Sequence, residues 1–156
     1  MSEYTLAAMT DPRAAIADLI HGYAERIDAG DLEGVARLFA AGTFRSTRGP
    51  ARHGAEELLA TLRRLVILHD DGTPRTKHVV TNLVIEVDET AGTAAARSYF
   101  TVLQATEMLP LRVIVAGRYE DRFVRVDRQW RFSDRLVHMD LVGDVSGHIR
   151  GDGGER

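Results

Sequence analysis

Apolar residues recur at helical spacing over the first half of the chain, and this pattern predicts three helices. The longest run lies between residues 16 and 39, and Asp11-Pro12 before it is a suitable helix start. Asp28-Ala29-Gly30 interrupts the run, and Asp31 is suited to cap a second, shorter helix. A third helix is predicted over about residues 55–68. The buried face of the first helix is predicted to carry Ile16, Leu19, Ile20, Tyr23 and Ile27.

From residue 76 onward, apolar residues recur at every second position, which is the pattern of β-strands. Segments 76–87, 93–106, 111–126 and 129–141 alternate or are rich in β-branched and aromatic residues, and short turn sequences separate them. Four strands with short connections predict an antiparallel meander, and the glycine-rich stretch 42–54 is interpreted as a short extended piece plus a loop. Helices followed by strands predict an α+β fold in which three helices cover the concave face of a strongly curved antiparallel sheet. Such a cone-shaped fold encloses a small-molecule pocket.

The chain length of 156 residues predicts one domain, over residues 12–142. Residues 1–11 are expected to form a leader. The polar, glycine-rich residues 143–156 are expected to form a flexible, partly disordered tail.

Composition narrows the classes of function. The net charge is −3, and the arginines between residues 112 and 135 alternate with acidic residues, so we expect a solvated strand face and no nucleic-acid partner. The chain has no cysteine, which excludes disulfides, thiolate metal sites and cysteine nucleophiles. It also has no apolar window of about 18 residues and no secretory signal pattern, so no membrane association is expected and a cytoplasmic location is predicted.

The strand over residues 76–87 carries the most informative polar residues. Regular alternation would place His78 and Asn82 on one face with Val80, Val84 and Glu86. Either this face is exposed to solvent, or His78 and Asn82 point into an apolar cavity. In the second case, Asp28 at the end of the first helix is the candidate carboxylate partner that fixes the histidine tautomer. Asp28 is equally well explained as a helix stop.

Three stretches of the sequence resemble a known family. YAERIDAGDLEGVARLF, KHVVTN, and GRYEDRFVR with QWRFSDRLV are similar to the SnoaL-like branch of the NTF2-like superfamily, over about residues 12–141. That branch includes proteins similar to scytalone dehydratase and to the β subunits of ring-hydroxylating dioxygenases. The resemblance implies the cone-shaped fold, but it does not define the substrate, because this fold hosts many activities.

The dehydratase pattern is matched only in part. Its tyrosine-aspartate pair falls on Ile27-Asp28, so the aspartate is retained, and its first histidine falls on His78. Its second histidine falls near Gln104, and its serine and asparagine fall near Gly117 and Tyr119, so these three are not matched.

Further residues are candidates for contacting a substrate. Tyr23 lies on the apolar helix face, and His138 and Asp140 lie two apart in the last strand, where Asp140 is a secondary acid–base candidate. No third ligand accompanies His138 and Asp140, so no metal site is predicted, and the favoured explanation of His138 is a core histidine bonded to a backbone carbonyl. The remaining histidines, at positions 21, 53, 69 and 148, are expected at the surface. The candidate substrate-binding residues are Tyr23, Asn82, Phe100, Gln104, Tyr119, His138 and Asp140.

Two functional hypotheses follow. The first is a small cofactor-free enzyme in which Asp28 and His78 perform acid–base chemistry on an apolar cyclic or aromatic molecule by dehydration, isomerisation or cyclisation. The second is a ligand-binding or assembly module without turnover, similar to a dioxygenase β subunit. Apolar residues on the outer side of strands 76–87 and 111–126 also predict a homo-oligomer, a dimer first and a trimer as the alternative.

Overall fold

The structure is a computed structural model that describes residues 11–151. It contains three helices, α1 (Pro12–Asp28), α2 (Leu32–Arg37) and α3 (Gly54–Leu65), on one face of a curved, unclosed six-stranded sheet. The predicted α+β, NTF2-like fold is confirmed. Within these residues no helix combines the length and apolarity that a membrane span requires.

The first helix is fixed at both ends by local sequence. Asp11 accepts a hydrogen bond of 3.0 Å from the backbone N–H of Arg13, and Pro12 occupies the first helical position. The helix ends at Asp28, and Gly30 follows with a φ of +77°. A Cβ atom at Gly30 would lie 2.1 Å from the carbonyl oxygen of Gly72, so only glycine permits this close approach. The approach brings the end of α1 beside the segment that leads into the first long strand.

The sheet contains a hairpin, and a parallel pairing of that hairpin with the last strand, that the sequence did not predict. The four long strands are β3 (Thr76–Asp88), β4 (Thr93–Gln104), β5 (Arg112–Val126) and β6 (Gln129–Val142), and they form the predicted antiparallel meander. Residues 42–54, expected to form a short extended piece plus a loop, contain two paired strands, the hairpin of β1 (Thr43–Ser46) and β2 (Gly49–His53). β1 pairs in parallel with β6, which gives the strand order β2-β1-β6-β5-β4-β3.

Two β-bulges change which residues face the helices. In β3, one extra residue between Thr81 and Val84 shifts the register, and Asn82 there has a φ of +53°. His78 and Val80 lie before the bulge and face the core, the second of the two orientations considered for this face, but beyond the bulge the inward residues are Leu83, Ile85 and Val87. The unbroken alternation expected for this strand is wrong after Thr81.

In β6, an extra residue near Ser133 has the same effect. Phe132 lies in the core, and so do Arg135 and Val137 beyond the bulge, which leaves His138 on the outer face.

The chain after β6 is packed against the domain as far as the structure describes it. The backbone N–H of Ile67 donates to the carbonyl of His148 at 2.8 Å, and the N–H of Arg150 donates to the carbonyl of Leu65 at 2.8 Å. The expectation of a flexible tail is therefore wrong for residues 143–151. Residues 152–156 and the predicted leader up to residue 10 lie outside the described residues.

Candidate active site

The two predicted catalytic residues meet at the junction of α1 and β3. Oδ1 of Asp28 lies 2.6 Å from Nδ1 of His78, and Oδ2 accepts a hydrogen bond of 2.8 Å from the backbone N–H of His78. The hydroxyl of Thr76 donates to Oδ1 of Asp28 at 2.8 Å. The Asp28 carboxylate thus accepts three hydrogen bonds from residues at the start of β3, and these bonds fix its orientation.

Asp28 occupies a position that helix electrostatics alone would disfavour. A carboxylate in the last turn of a helix faces the negative end of the helix dipole, which typically destabilises it by about 0.3–1 kcal/mol at exposed sites. Here the hydrogen bonds from His78 and Thr76 offset that effect. The helix-stop explanation does not account for these contacts, because Ala29 and Gly30 already end the helix.

The charge state of Asp28 determines the tautomer of His78. Burial by itself would raise the pKa of Asp28, but the hydrogen bonds from His78 and Thr76, together with attraction to the His78 ring, hold that pKa below its ordinary value. An ionised carboxylate only accepts hydrogen bonds, so Nδ1 of His78 must carry the proton. In the neutral ring Nε2 then presents a lone pair, and it has no hydrogen-bond partner among residues 11–151.

The pair is largely shielded from solvent. The side chain of His78 is 7% exposed and that of Asp28 is 10% exposed. Little of either side chain is therefore open to solvent. Tyr23 packs edge-on to the His78 ring, with ring centroids 6.4 Å apart.

A second histidine, which the sequence analysis placed at the surface, lies beside His78. The ring of His148 is 5.9 Å from that of His78 between centroids, and the residue is only 5% exposed. Burial, and then the charge of His78, lower the pKa of His148 to about 4, so its ring is neutral at pH 7. The surface assignment of His148 is wrong because the segment after β6 folds back over the site.

Gln104 holds that segment in place. Its side-chain amide donates to the carbonyl of Pro74 at 3.0 Å and to the carbonyl of Gly147 at 2.9 Å. Gln104 is paired with Thr76 in the sheet register and is buried. The residue predicted to contact substrate therefore anchors the residue that precedes His148.

The other aromatic candidates form a connected cluster inside the domain. The Tyr119 ring stacks on Phe100 at a centroid distance of 4.5 Å and lies 6.1 Å from the Tyr23 ring. Tyr23 in turn contacts His78. Three of the predicted substrate-binding residues therefore form a continuous series of ring contacts that ends at His78. Burial raises the pKa of both tyrosines, which keeps their hydroxyls protonated.

A buried ion pair lies within this cluster and was missed in the sequence analysis. Arg135 donates to Asp121 through two hydrogen bonds of 2.7 and 2.9 Å, and both side chains are 0% exposed. The guanidinium lies 4.4 Å from the Tyr23 ring centre and 3.7 Å from that of Tyr119. The expectation that all the arginines of β5 and β6 lie on a solvated face is therefore wrong for Arg135, because the β6 bulge turns it inward.

Three candidates lie away from Asp28 and His78. Asn82 is exposed at the β3 bulge. His138 contacts Glu120 at 3.0 Å, and Asp140 is paired with Arg118 at 2.8 Å, both on the outer side of the sheet. The bulges in β3 and β6 explain these placements, since each reverses the alternation on which the candidates were chosen.

Surface cavities do not mark the site. One of about 260 Å³ is lined by residues of β1 and β3–β6, including Arg45, Glu86 and Asp134, and contains neither Asp28 nor His78. The mixed surface charges of this cavity define no specific ligand, whereas Asp28 and His78 form a buried pair of fixed orientation. Among residues 11–151, no group of three or more histidine, aspartate or glutamate side chains is arranged to hold a metal ion.

One of the missed residues carried a signal in the sequence. Thr76 lies two positions before His78, so strand alternation places both on one face. His148 and Arg135 carried no such signal, because one follows the last periodic segment and the other lies beyond a bulge.

Comparison with known proteins agrees with this fold. Among solved structures, a variant of Rv3472, a protein of unknown function from Mycobacterium tuberculosis, is 29% identical with a TM-score of 0.67, and the match covers 83% of this chain and 72% of that one. A protein from Novosphingobium aromaticivorans provisionally named as a scytalone dehydratase is 26% identical, with a TM-score of 0.66 and coverage of 92% and 91%.

An NTF2-like protein with a cystatin-like fold from the same organism is 20% identical, with a TM-score of 0.72 and coverage of 94% of both chains. This last similarity concerns the fold alone. Among curated proteins, no relative matches the chain.

The family itself is defined by a match to the SnoaL-like domain over residues 8–136, most of the chain. That family includes polyketide cyclases and dehydratases. The protein therefore belongs to the SnoaL-like family, with an NTF2-like fold.

Proposed function

We propose that the protein is a cofactor-free enzyme that transfers protons to and from an apolar cyclic or aromatic small molecule. The observation that carries this proposal is the hydrogen bond of 2.6 Å between Asp28 and Nδ1 of His78 inside the domain. An oriented imidazole with a free Nε2 is the arrangement that general acid–base catalysis requires. Membership of a family that includes cyclases and dehydratases supports the same reading.

The step begins at a carbon next to a carbonyl group. Nε2 of His78 removes a proton from that carbon, the C–H electron pair forms a C=C bond, and the π pair of the carbonyl moves to its oxygen to give an enolate. Nδ1 keeps its proton and its bond to Asp28, whose negative charge stabilises the imidazolium that forms. Return of the proton to another atom gives isomerisation, and loss of a β-hydroxyl with that proton gives dehydration.

The surroundings of His78 favour an apolar, ring-shaped substrate. Tyr23, Tyr119 and Phe100 provide connected aromatic surfaces on the inner side of the sheet. In such surroundings, charge interactions are stronger than in water, so a single carboxylate affects the imidazole strongly.

A ligand-binding or assembly role without turnover is the second candidate. The observation in its favour is the exposed apolar surface on the outer face of the sheet, where Val79, Tyr99, Val113 and Leu141 are accessible. That role needs no oriented histidine, so it leaves the Asp28–His78 contact unexplained.

The proposal is tested by deuterium incorporation into 2-tetralone in D₂O, followed by proton NMR. This ketone has acidic C–H bonds next to its carbonyl and needs no knowledge of the natural substrate. We expect the wild type to accelerate exchange and H78A to lower that rate by about 10²–10⁴-fold, the usual contribution of a positioned acid–base residue.

The matched control is H21A, since His21 is an exposed histidine on α1. It should exchange at the wild-type rate. Equal rates for wild type and H78A, with both variants folded, contradict the proposal and favour the non-catalytic role.

A further inference from the structure

The segment after β6 places a buried histidine where it has no structural partner for one of its ring nitrogens. Nδ1 of His148 is inaccessible to solvent and has no hydrogen-bond partner among residues 11–151. Leaving a buried polar atom unpaired destabilises the folded state. A site that binds a polar ligand group is one explanation for retaining such an atom.

The backbone around His148 is held more firmly than its side chain. Its N–H donates to the carbonyl of Val145 at 2.9 Å, and its carbonyl accepts from Ile67 at 2.8 Å. The carbonyl of the preceding Gly147 accepts from the side-chain amide of Gln104 and is 2.9 Å from Nε2 of His69. These contacts fix the backbone of His148 without using its ring nitrogens.

Gly147 lies close to the side chain of Gln104. A Cβ atom there would lie 3.0 Å from Oε1 of Gln104, tighter than nine in ten real contacts, so the Gln104 side chain would have to shift by a few tenths of an ångström. The segment therefore passes tightly over Gln104, and the next residue places its imidazole 5.9 Å from that of His78, at an interplanar angle of 68°.

Rings with centroids 5.9 Å apart, edge to face, leave no room for a group between them, so one small molecule would contact both rings from the same side. Its carbonyl oxygen would then lie about 2.7–3.2 Å from a ring nitrogen of His148, with the adjacent carbon towards His78. His78 is oriented by a carboxylate and is suited to accept a proton. His148 has no carboxylate partner, and burial keeps its ring neutral at pH 7, so it is suited to donate a hydrogen bond.

We propose that His148 is a second catalytic residue of this site, which donates a hydrogen bond to the substrate oxygen that becomes negative when His78 removes the proton. This inference rests on the proposed function of the Asp28–His78 pair. The segment after β6 would then stabilise the enolate, and turnover would require this segment to be packed beside His78.

The test compares three variants in the 2-tetralone exchange assay. H148L removes both ring nitrogens, and H148N keeps an N–H close to the position of Nδ1. H69L removes a contact of the same segment without removing the ring beside His78. The effect of loosening the segment is thereby separated from the effect of losing the donor.

We expect H148L to lower kcat for exchange by about 10²-fold with little change in KM, as loss of a donor to a developing oxyanion does. H148N should recover a measurable part of that loss, and H69L should lower kcat less than H148L does. Wild-type kcat in H148L overturns the inference and leaves the proposed function intact. Equal losses in H148L, H148N and H69L also overturn it, because they indicate a structural role for the segment.

Absence of exchange by the wild type above the H78A rate overturns the proposed function, and the role of His148 with it. If H148L does not fold, a ligand titration of the wild type followed by NMR tests the inference instead. Titration with 2-naphthol, the planar analogue of the enol, should shift the imidazole ¹⁵N resonances of both His78 and His148. A shift of His78 alone contradicts the inference.

Discussion

Asp28 binds His78 at two points, because its two carboxylate oxygens accept the ring Nδ1–H at 2.6 Å and the backbone N–H at 2.8 Å of the same residue. The backbone bond fixes the carboxylate relative to β3, and the ring bond fixes the imidazole relative to the carboxylate. The geometry therefore does not depend on side-chain packing alone. Such an arrangement is suited to a reaction in which one tautomer of histidine must be maintained.

The stability of the protein should depend on pH through His148. Its folded pKa of about 4 lies below the unfolded value of about 6.5, so the unfolded state binds the proton first as the pH falls. Stability is therefore lost between about pH 6.5 and 4, by an amount on the order of 3 kcal/mol, and the loss is complete below the folded pKa.

H148L isolates this effect from the other titrating groups near the ring, His78, His69 and Asp28. Urea unfolding of wild type and H148L at pH 7 and pH 4.5 should show a larger decrease in the free energy of unfolding for the wild type. Identical decreases in the two proteins contradict the assignment.

The buried pair of Arg135 and Asp121 should contribute strongly to stability. R135M leaves the carboxylate of Asp121 without a partner in a fully buried position, so we expect a loss of about 3–5 kcal/mol in the free energy of unfolding. The double variant R135M/D121L removes both charges and should recover much of that loss. Urea unfolding checks both values, and a loss below 1 kcal/mol in R135M contradicts the prediction.

Gln104 should control the order of the segment after β6. Q104L removes its hydrogen bonds to the carbonyls of Pro74 and Gly147. Hydrogen exchange of the backbone amides of Ile67 and Arg150, which connect this segment to the end of α3, should accelerate. The amides of the β4–β5 ladder serve as the internal reference. Unchanged protection of Ile67 and Arg150 indicates that the segment is held by other contacts.

The outer face of the sheet should form a homodimer interface. Val79, Thr101, Ala116 and Leu141 follow one another in register across β3 to β6, and Leu141 is 70% exposed. L141E places a charge in this row and should shift the protein from dimer to monomer in sedimentation velocity. The control is M108E, since Met108 is an exposed residue between β4 and β5. A wild type that sediments as a monomer at micromolar concentration contradicts the prediction.

The sequence predicted the parts of the fold that depend on regular periodicity. The start of α1 at Asp11-Pro12, its end at Asp28 and the four long strands followed from capping residues and alternation. The parallel pairing of β1 with β6 did not, because a four-residue strand carries no periodic signal and its partner lies about ninety residues away.

The candidate site was predictable only where the register is regular. His78 lies before the β3 bulge, so alternation placed it correctly, while Asn82 lies at the bulge and was placed on the wrong face. The same effect misplaced Arg135, His138 and Asp140 in β6. His148 could not be found from local sequence, because its position depends on long-range contacts with Gln104, His69 and Ile67.

The account depends most on the claim that Asp28 and His78 act as one unit. A double-mutant cycle with D28N, H78A and D28N/H78A in the 2-tetralone assay measures this directly, because residues that act together show non-additive losses. We predict that D28N lowers kcat by about 10² or more, and that the double variant is no slower than H78A. Losses in D28N and H78A that multiply in the double variant would show that the two residues act independently and would contradict the account.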